Sequence, residues 1–154
     1  MTINDTWAYN RNDRHFKSTT ELVRALIDAA SKGGNFLLNV GPTPEGTIQP
    51  EFEERLRQIG AWLKANGEAI YGTTYGPLQD LTFGRSTAKA GTVYLHVFDM
   101  PKETIEVKGL HARSVSLLAS GKTLMFTQDG ERLAIHVAGI TADPCATVIA
   151  VQTR

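Results

Sequence analysis

The chain has 154 residues, 42% of them hydrophobic and 21% charged, which is enough apolar material for one ordinary domain or two small ones. Lys+Arg and Asp+Glu each number 16, so the net charge is zero and no attraction to nucleic acid or to an anionic membrane is expected. Cys145 is the single cysteine, which excludes an internal disulfide and a cysteine-based metal site and suits a reducing compartment.

No stretch of about 18 apolar residues is present, so no membrane-spanning helix is expected. The first residues, Met1–Phe16, lack an apolar core and do not read as a signal peptide. Ile3–Tyr9 is a short, partly aromatic segment that reads as a strand running into a loop, and Asn10–Lys17 is polar loop. Ser18-Thr19-Thr20-Glu21 is a capping box that opens a helix. Leu22, Val23, Leu26, Ile27 and Ala30 give that helix one apolar face, and Gly33-Gly34 ends it. Phe36-Leu37-Leu38-Asn39-Val40 is nearly continuous in apolar character, as in a parallel strand covered on both faces. Gly41-Pro42-Thr43-Pro44-Glu45-Gly46 must be loop. Pro50 opens a second helix with Glu51, Glu53 and Glu54 at its positive end; Phe52, Leu56, Ile59 and Leu63 form its stripe and Asn66-Gly67 stops it. Strand, helix, strand, helix is the grammar of an α/β sheet or barrel.

The helical period disappears after Tyr75-Gly76-Pro77. Leu81–Lys89, Thr92–Asp99, Thr104–Lys108, Ser114–Ala119, Thr123–Thr127, Arg132–Val137 and Ala146–Gln152 read as short strands. Asp129-Gly130 is a hairpin signal between two of them. Val93, Leu95 and Val97 alternate with Tyr94, His96 and Phe98. Such a series predicts a sandwich or small barrel. The expected organisation is therefore a unit over 1–73 and a β-domain over 74–154, with a boundary near Thr73–Pro77.

Three ordered motifs carry a resemblance. Thr2-Ile3-Asn4-Asp5-Thr6-Trp7-Ala8-Tyr9-Asn10 resembles the segment around the seventh barrel strand of glycoside hydrolase family 29, the α-L-fucosidases. Ser31-Lys32-Gly33-Gly34-Asn35-Phe36-Leu37-Leu38-Asn39-Val40-Gly41-Pro42-Thr43-Pro44-Glu45-Gly46 is similar to the eighth strand and its loop. Asn66-Gly67-Glu68-Ala69-Ile70-Tyr71-Gly72 resembles the exit from the last barrel helix. The resemblance implies a fold of α/β followed by all-β: a partial (β/α)8 barrel over 1–73, holding the last strands and helices, and a C-terminal antiparallel β-sandwich over 74–154.

It also implies retaining hydrolysis of terminal α-L-fucosides, a reaction that needs two carboxyl groups about 5 Å apart. The family's nucleophile lies on an earlier strand, and the acid/base of many relatives lies in a Trp-Glu-x-Cys-x-Thr stretch whose end matches Met1-Thr2. Neither is therefore expected within this chain, and no catalytic residue is assigned. Trp7 matches an aromatic that packs on the apolar side of fucose in a Ser-Trp/Phe-Gly-Tyr context; Ala8 departs from the usual glycine. Trp7 is the one candidate substrate-binding residue, weighed against a core or interface aromatic, while Trp62 reads as core. Asp5, Asp13 and Glu45 stand as replacement carboxylates against a reading as solvated loop groups. His15, His96, His111 and His136 lack metal spacing, and Arg11, Arg14 and His15 read as a solvated basic loop. No metal or cofactor is expected. The expected partners are a fucosylated glycan or fucoside and further copies of the chain docking through residues 1–73. The alternative function is a non-catalytic carbohydrate-binding or assembly module. The compartment stays open between bacterial cytoplasm and periplasm.

Overall fold

The computed structural model describes residues 1–154. Helix α1 spans Thr19–Ser31 and α2 spans Pro50–Asn66. Eight strands follow: β1 Thr74–Tyr75, β2 Gly84–Lys89, β3 Thr92–Val97, β4 Thr104–Lys108, β5 Ala112–Leu117, β6 Phe126–Asp129, β7 Arg132–His136 and β8 Thr147–Thr153. A five-stranded sheet runs in the order β1-β2-β3-β8-β5 and a three-stranded sheet in the order β4-β7-β6; every strand pairing is antiparallel. The two sheets form a sandwich, and the helices lie on the outer face of the larger sheet.

Local signals set the helix boundaries. Ser18 and Glu21 close both halves of the capping box at the start of α1. At its end Gly33 adopts φ 69°, and the Gly34 N–H reaches the Ala29 carbonyl at 2.9 Å. Pro50 sits in the first turn of α2. Asn66-Gly67 does not stop the backbone at once, because a 3-10 turn over Gly67–Ala69 continues from the helix.

The run of residues read as a doubly covered strand, Phe36–Val40, is not one. It makes a single parallel bridge, Thr2 to Asn39, and Leu37 is 64% exposed. The direction agrees with a strand–helix–strand crossover, but the pairing does not extend, and Ile3–Ala8 turns away as a series of bends. Apolar character alone did not distinguish a covered strand from one with a bare side. Leu56 likewise leaves its predicted stripe and is 41% exposed, whereas Trp62 takes its place facing inward. The strand predicted over Leu81–Lys89 begins only at Gly84, and the segment predicted over Thr123–Thr127 pairs instead over Phe126–Asp129. Asp129-Gly130 does form the expected hairpin, with Asp129 opposite Arg132.

Strand β3 explains the layering. Val93, Tyr94, Leu95, His96 and Val97 are all buried. Val93, Leu95 and Val97 join Ile105, Val107, Leu133, Ile135, Ile149 and Val151 between the sheets. Tyr94 faces the other way, in a second core with Val148, Leu22, Val23, Ile27, Phe52, Trp62 and Ile3. Leu22 and Ile59, from the apolar faces of the two helices, are both buried within this chain.

Polar groups at this seam are paired across it. Trp62 Nε1–H donates to the Ala146 carbonyl at 3.0 Å. Arg24 donates to the Cys145 and Phe98 carbonyls at 3.0 and 2.7 Å and lies over the Phe98 ring. Arg85 reaches the Asp28 carboxylate at 2.8 Å. The Tyr94 hydroxyl donates to Glu68 at 2.6 Å; burial and then Glu68 push its pKa up to about 12.

The Thr87 hydroxyl donates to the Ala69 carbonyl at 2.7 Å, so its oxygen must accept from His96 Nε2–H at 2.9 Å. That fixes the His96 tautomer and leaves Nδ1 without a partner. Desolvation drives the His96 pKa down to about 4, against an ordinary 6.5. Unfolding therefore brings proton uptake at this residue between those values. Its contribution is intact above pH 6.5 and is lost as pH falls toward 4, by about 3 kcal/mol at the limit. Urea unfolding at pH 7 and pH 4.5 should show this loss, and His96→Gln should shrink the difference between the two pH values. An equal difference in the variant would assign the acid sensitivity to other groups.

Candidate functional site

The N-terminal loop is organised around one carboxylate. Asp13 Oδ2 accepts the backbone N–H groups of Asp5 and Thr6 at 3.0 and 3.1 Å and the Thr6 hydroxyl at 3.1 Å. Its Oδ1 accepts the His15 N–H at 3.1 Å. Desolvation raises the Asp13 pKa, but the hydrogen bonds from His15, Thr6 and Asp5 outweigh it and hold the carboxyl below its ordinary value. A general acid needs the opposite shift. Asp13 is thus a folding element of the loop.

Ile3, fully buried, ties the start of this loop to the helical core, and the Lys17 N–H closes the loop on the Ile3 carbonyl at 2.8 Å. The loop is also clamped to the segment around Asn39. Asn39 Nδ2–H donates to the Trp7 carbonyl at 2.6 Å. At Gly41 the two segments touch backbone to backbone: a Cβ there would lie 2.6 Å from the Tyr9 nitrogen. Only glycine permits that approach. With its backbone held on both sides, Trp7 projects an indole that is 62% exposed.

The parallel Thr2–Asn39 bridge places both Trp7 and the Gly41–Gly46 loop beyond the C-terminal ends of the paired segments. The rim so formed offers a flat apolar face with polar groups near it, an arrangement suited to the C–H surface of a sugar ring. Asp5 is exposed and engaged, with His15 Nδ1 at 3.0 Å and Lys17 Nζ at 3.9 Å. Glu45 lies on the exposed turn of the Gly41–Gly46 loop. Asp5 and Asp13 are therefore brought into one loop but occupied differently, one in an ion pair and one in backbone hydrogen bonds.

The histidines are dispersed in role. His15 pairs with Asp5, His111 with Glu131 at 3.2 Å, His96 is buried, and His136 is exposed on β7. Arg11 and Arg14 are exposed beside His15. Reading the residues alone missed Asn39, Gly41 and the organising role of Asp13. Asn39 was visible only as the single polar residue in an apolar run, and Gly41 only as a strand exit.

The Asp5 hydrogen bond and charge raise the His15 pKa. The stabilisation from this pair is complete below the ordinary 6.5 and is lost as pH rises through the folded value. NMR titration should find His15 half-protonated above pH 6.5, with Asp5→Asn moving the midpoint down. A His15 midpoint unchanged by that substitution would contradict the pairing.

The family profile described as Alpha-L-fucosidase matches residues 1–68. Plasma alpha-L-fucosidase of Homo sapiens is 53% identical over 76 residues, covering 47% of this chain and 16% of that protein. Tissue alpha-L-fucosidase of Mus musculus is 36% identical over 134 residues, covering 80% of this chain and 29% of that protein. Alpha-L-fucosidase isoenzyme 1 from Paenibacillus thiaminolyticus superposes on all of this chain with a TM-score of 0.94 at 32% identity, over 39% of its own length. Thermotoga maritima alpha-fucosidase in complex with fucose matches 98% of this chain with a TM-score of 0.84 at 34% identity, over 38% of its own length. The chain thus spans well under half of the proteins it resembles.

Proposed function

The chain belongs to the α-L-fucosidases of glycoside hydrolase family 29, as a partial chain comprising the end of the barrel and the β-sandwich, and on that premise we propose that it serves the retaining hydrolysis of terminal α-L-fucosides by forming one wall of the fucose pocket. The observation that carries this reading is the exposed Trp7 indole on a backbone clamped by Asn39 and Gly41. In a barrel enzyme the loops beyond the C-terminal strand ends hold the active site, and Trp7 lies on such a loop. A solved relative is described in complex with fucose.

Turnover needs a nucleophile and an acid/base that this reading places on portions of the family's barrel outside the chain. Asp13 is occupied by backbone donors and Asp5 by His15 and Lys17. The chain by itself is therefore proposed to bind and not to hydrolyse. Purified protein should show no release from a chromogenic α-L-fucoside above background, while L-fucose perturbs tryptophan fluorescence and Trp7→Ala abolishes the perturbation. Robust hydrolysis, lost on substituting Asp5, Asp13 or Glu45, would overturn the proposal; a fucose response retained in Trp7→Ala would remove Trp7 from the pocket.

The second reading is a non-catalytic carbohydrate-binding or assembly module. It draws on the burial of Leu22, Ile27 and Phe52 within the chain, which gives the helical part a covered core of its own. Binding of fucose in the absence of turnover suits both readings. They part when a catalytically silent family barrel lacking this region is added: restored hydrolysis marks the chain as pocket wall, and none marks it as a module.

We also propose self-association through residues 1–73. The parallel pairing there is one bridge wide, and Met1 and Leu37 beside it are 48% and 64% exposed. Unpaired strand edges with apolar neighbours favour pairing between copies. Light scattering at micromolar concentration should give at least a dimer, and Leu37→Lys should reduce it to monomer. A wild-type monomer would refute the proposal.

A further inference from the structure

The loop that carries Trp7 also carries two cations that the fold does not use. Asp5 is taken by His15 and Lys17, and Asp13 by backbone donors. Lys17 Nζ donates to the Asn4 carbonyl at 2.9 Å. Arg11 and Arg14 are both exposed, and neither guanidinium makes a hydrogen bond or an ion pair within the chain. The arginines of the helices differ: Arg24, Arg55 and Arg57 each reach an acceptor.

The backbone beneath both cations is nevertheless fixed. Arg11 sits at the tip of a turn, closed by the Asp13 N–H on the Asn10 carbonyl at 3.1 Å and by the Asn12 N–H on Asn10 Oδ1 at 3.0 Å. Arg14 lies between Asp13 and His15, and the His15 N–H donates back to Asp13 Oδ1. Asp13 Oδ2 accepts the Thr6 N–H, so Trp7 and Arg14 branch from the two sides of one contact. That contact and one chain step on either side keep their Cα atoms within about 16 Å of each other. A di- or trisaccharide spans that separation. Glu45, on the neighbouring Gly41–Gly46 loop, is the one carboxylate of the rim without a partner, so the unpaired groups there are two cations and one anion.

A guanidinium holds its charge at any physiological pH, and its planar fork matches the paired oxygens of a carboxylate or a sulfate. The aromatic face beside it takes the apolar side of a sugar ring. We propose that Arg11 and Arg14 set the substrate class of the Trp7 rim: they take an anionic substituent, a sulfate ester or a carboxylate, on the sugar to which the terminal fucose is attached. The placing of fucose rests on the pocket-wall reading above; the preference for an anion rests on the two unpaired arginines.

The test is an NMR titration of the whole chain at low salt, following backbone amides and the Trp7 indole N–H. The ligands are fucosylated N-acetyllactosamine, the same glycan with sulfate on its galactose, and the same glycan with sialic acid on its galactose; inorganic sulfate is the comparison anion. At least one charged glycan should bind about fivefold more tightly than the neutral one, the size expected of two exposed ion pairs. It should add shifts at Arg11, Asn12 and Arg14 to those at Trp7, and which of the two binds better separates sulfate from carboxylate recognition. Substituting Arg11→Gln and Arg14→Gln together should bring the ratio of charged to neutral affinity to about one, as should about 0.5 M sodium chloride. Equal affinities in the wild type, with the Trp7 indole responding, would overturn the proposal and leave the pocket-wall reading standing. A preference that survives the double substitution, or inorganic sulfate binding as tightly as the sulfated glycan, would also overturn it. Arginine-dependent binding of a charged glycan without any response at Trp7 would keep the anion preference and count against the pocket-wall reading. No response to any glycan would overturn both.

Discussion

Five consecutive residues of β3, Val93 to Val97, are buried, so the larger sheet must be covered on both faces. Antiparallel sheets commonly leave one face to solvent, and this one does not. The smaller sheet covers one side and the two helices cover the other. Much else follows from that requirement. Phe52 and Trp62 of α2 face the sheet because Tyr94 and Val148 are there to meet them. Trp62 and Thr87 point across the seam to backbone carbonyls that would otherwise be buried unpaired, and Arg24 and Arg85 bridge it at its more exposed edge.

The same constraint reaches the rim. Ile3 is fully buried in the helix–sheet core only a few residues before Trp7, and Lys17 returns to it just before α1 begins. The loop between is thus anchored at both ends, and Asp13 fixes its interior. Trp7 is exposed on a rigid mount, which lowers the entropy lost when an aromatic face takes a ligand. The rim owes its shape to the Asn39 side-chain amide, which donates to the Trp7 carbonyl, and to the close backbone approach at Gly41.

Signals that are local in the chain were legible in the sequence. The Ser18–Glu21 capping box, the glycine stop at Gly33, Pro50 and the Asp129-Gly130 hairpin each depend on a few neighbouring residues, and each formed. The alternation of Val93, Leu95 and Val97 with Tyr94, His96 and Phe98 was also legible. What covers the second set was not, because Thr87 and His96 are polar and become core only through a mutual hydrogen bond. Phe36–Val40 misled for the converse reason: its apolar run says what the segment tolerates, and its pairing stops at one bridge with Leu37 exposed. In the site, Trp7 stood out by its motif, whereas Asp13, Asn39 and Gly41 matter through contacts with residues many positions away.

The doubly covered sheet holds the helical part and the sandwich as one body. Urea unfolding tests it most directly, followed at once by the fluorescence of Trp62 in a Trp7→Phe background and by the amide NMR signals of Val107 and Ile135 in the core between the sheets. The shared core predicts coincident transitions with a single midpoint. Loss of the helices at a clearly lower urea concentration, with the sandwich signal intact, would contradict it.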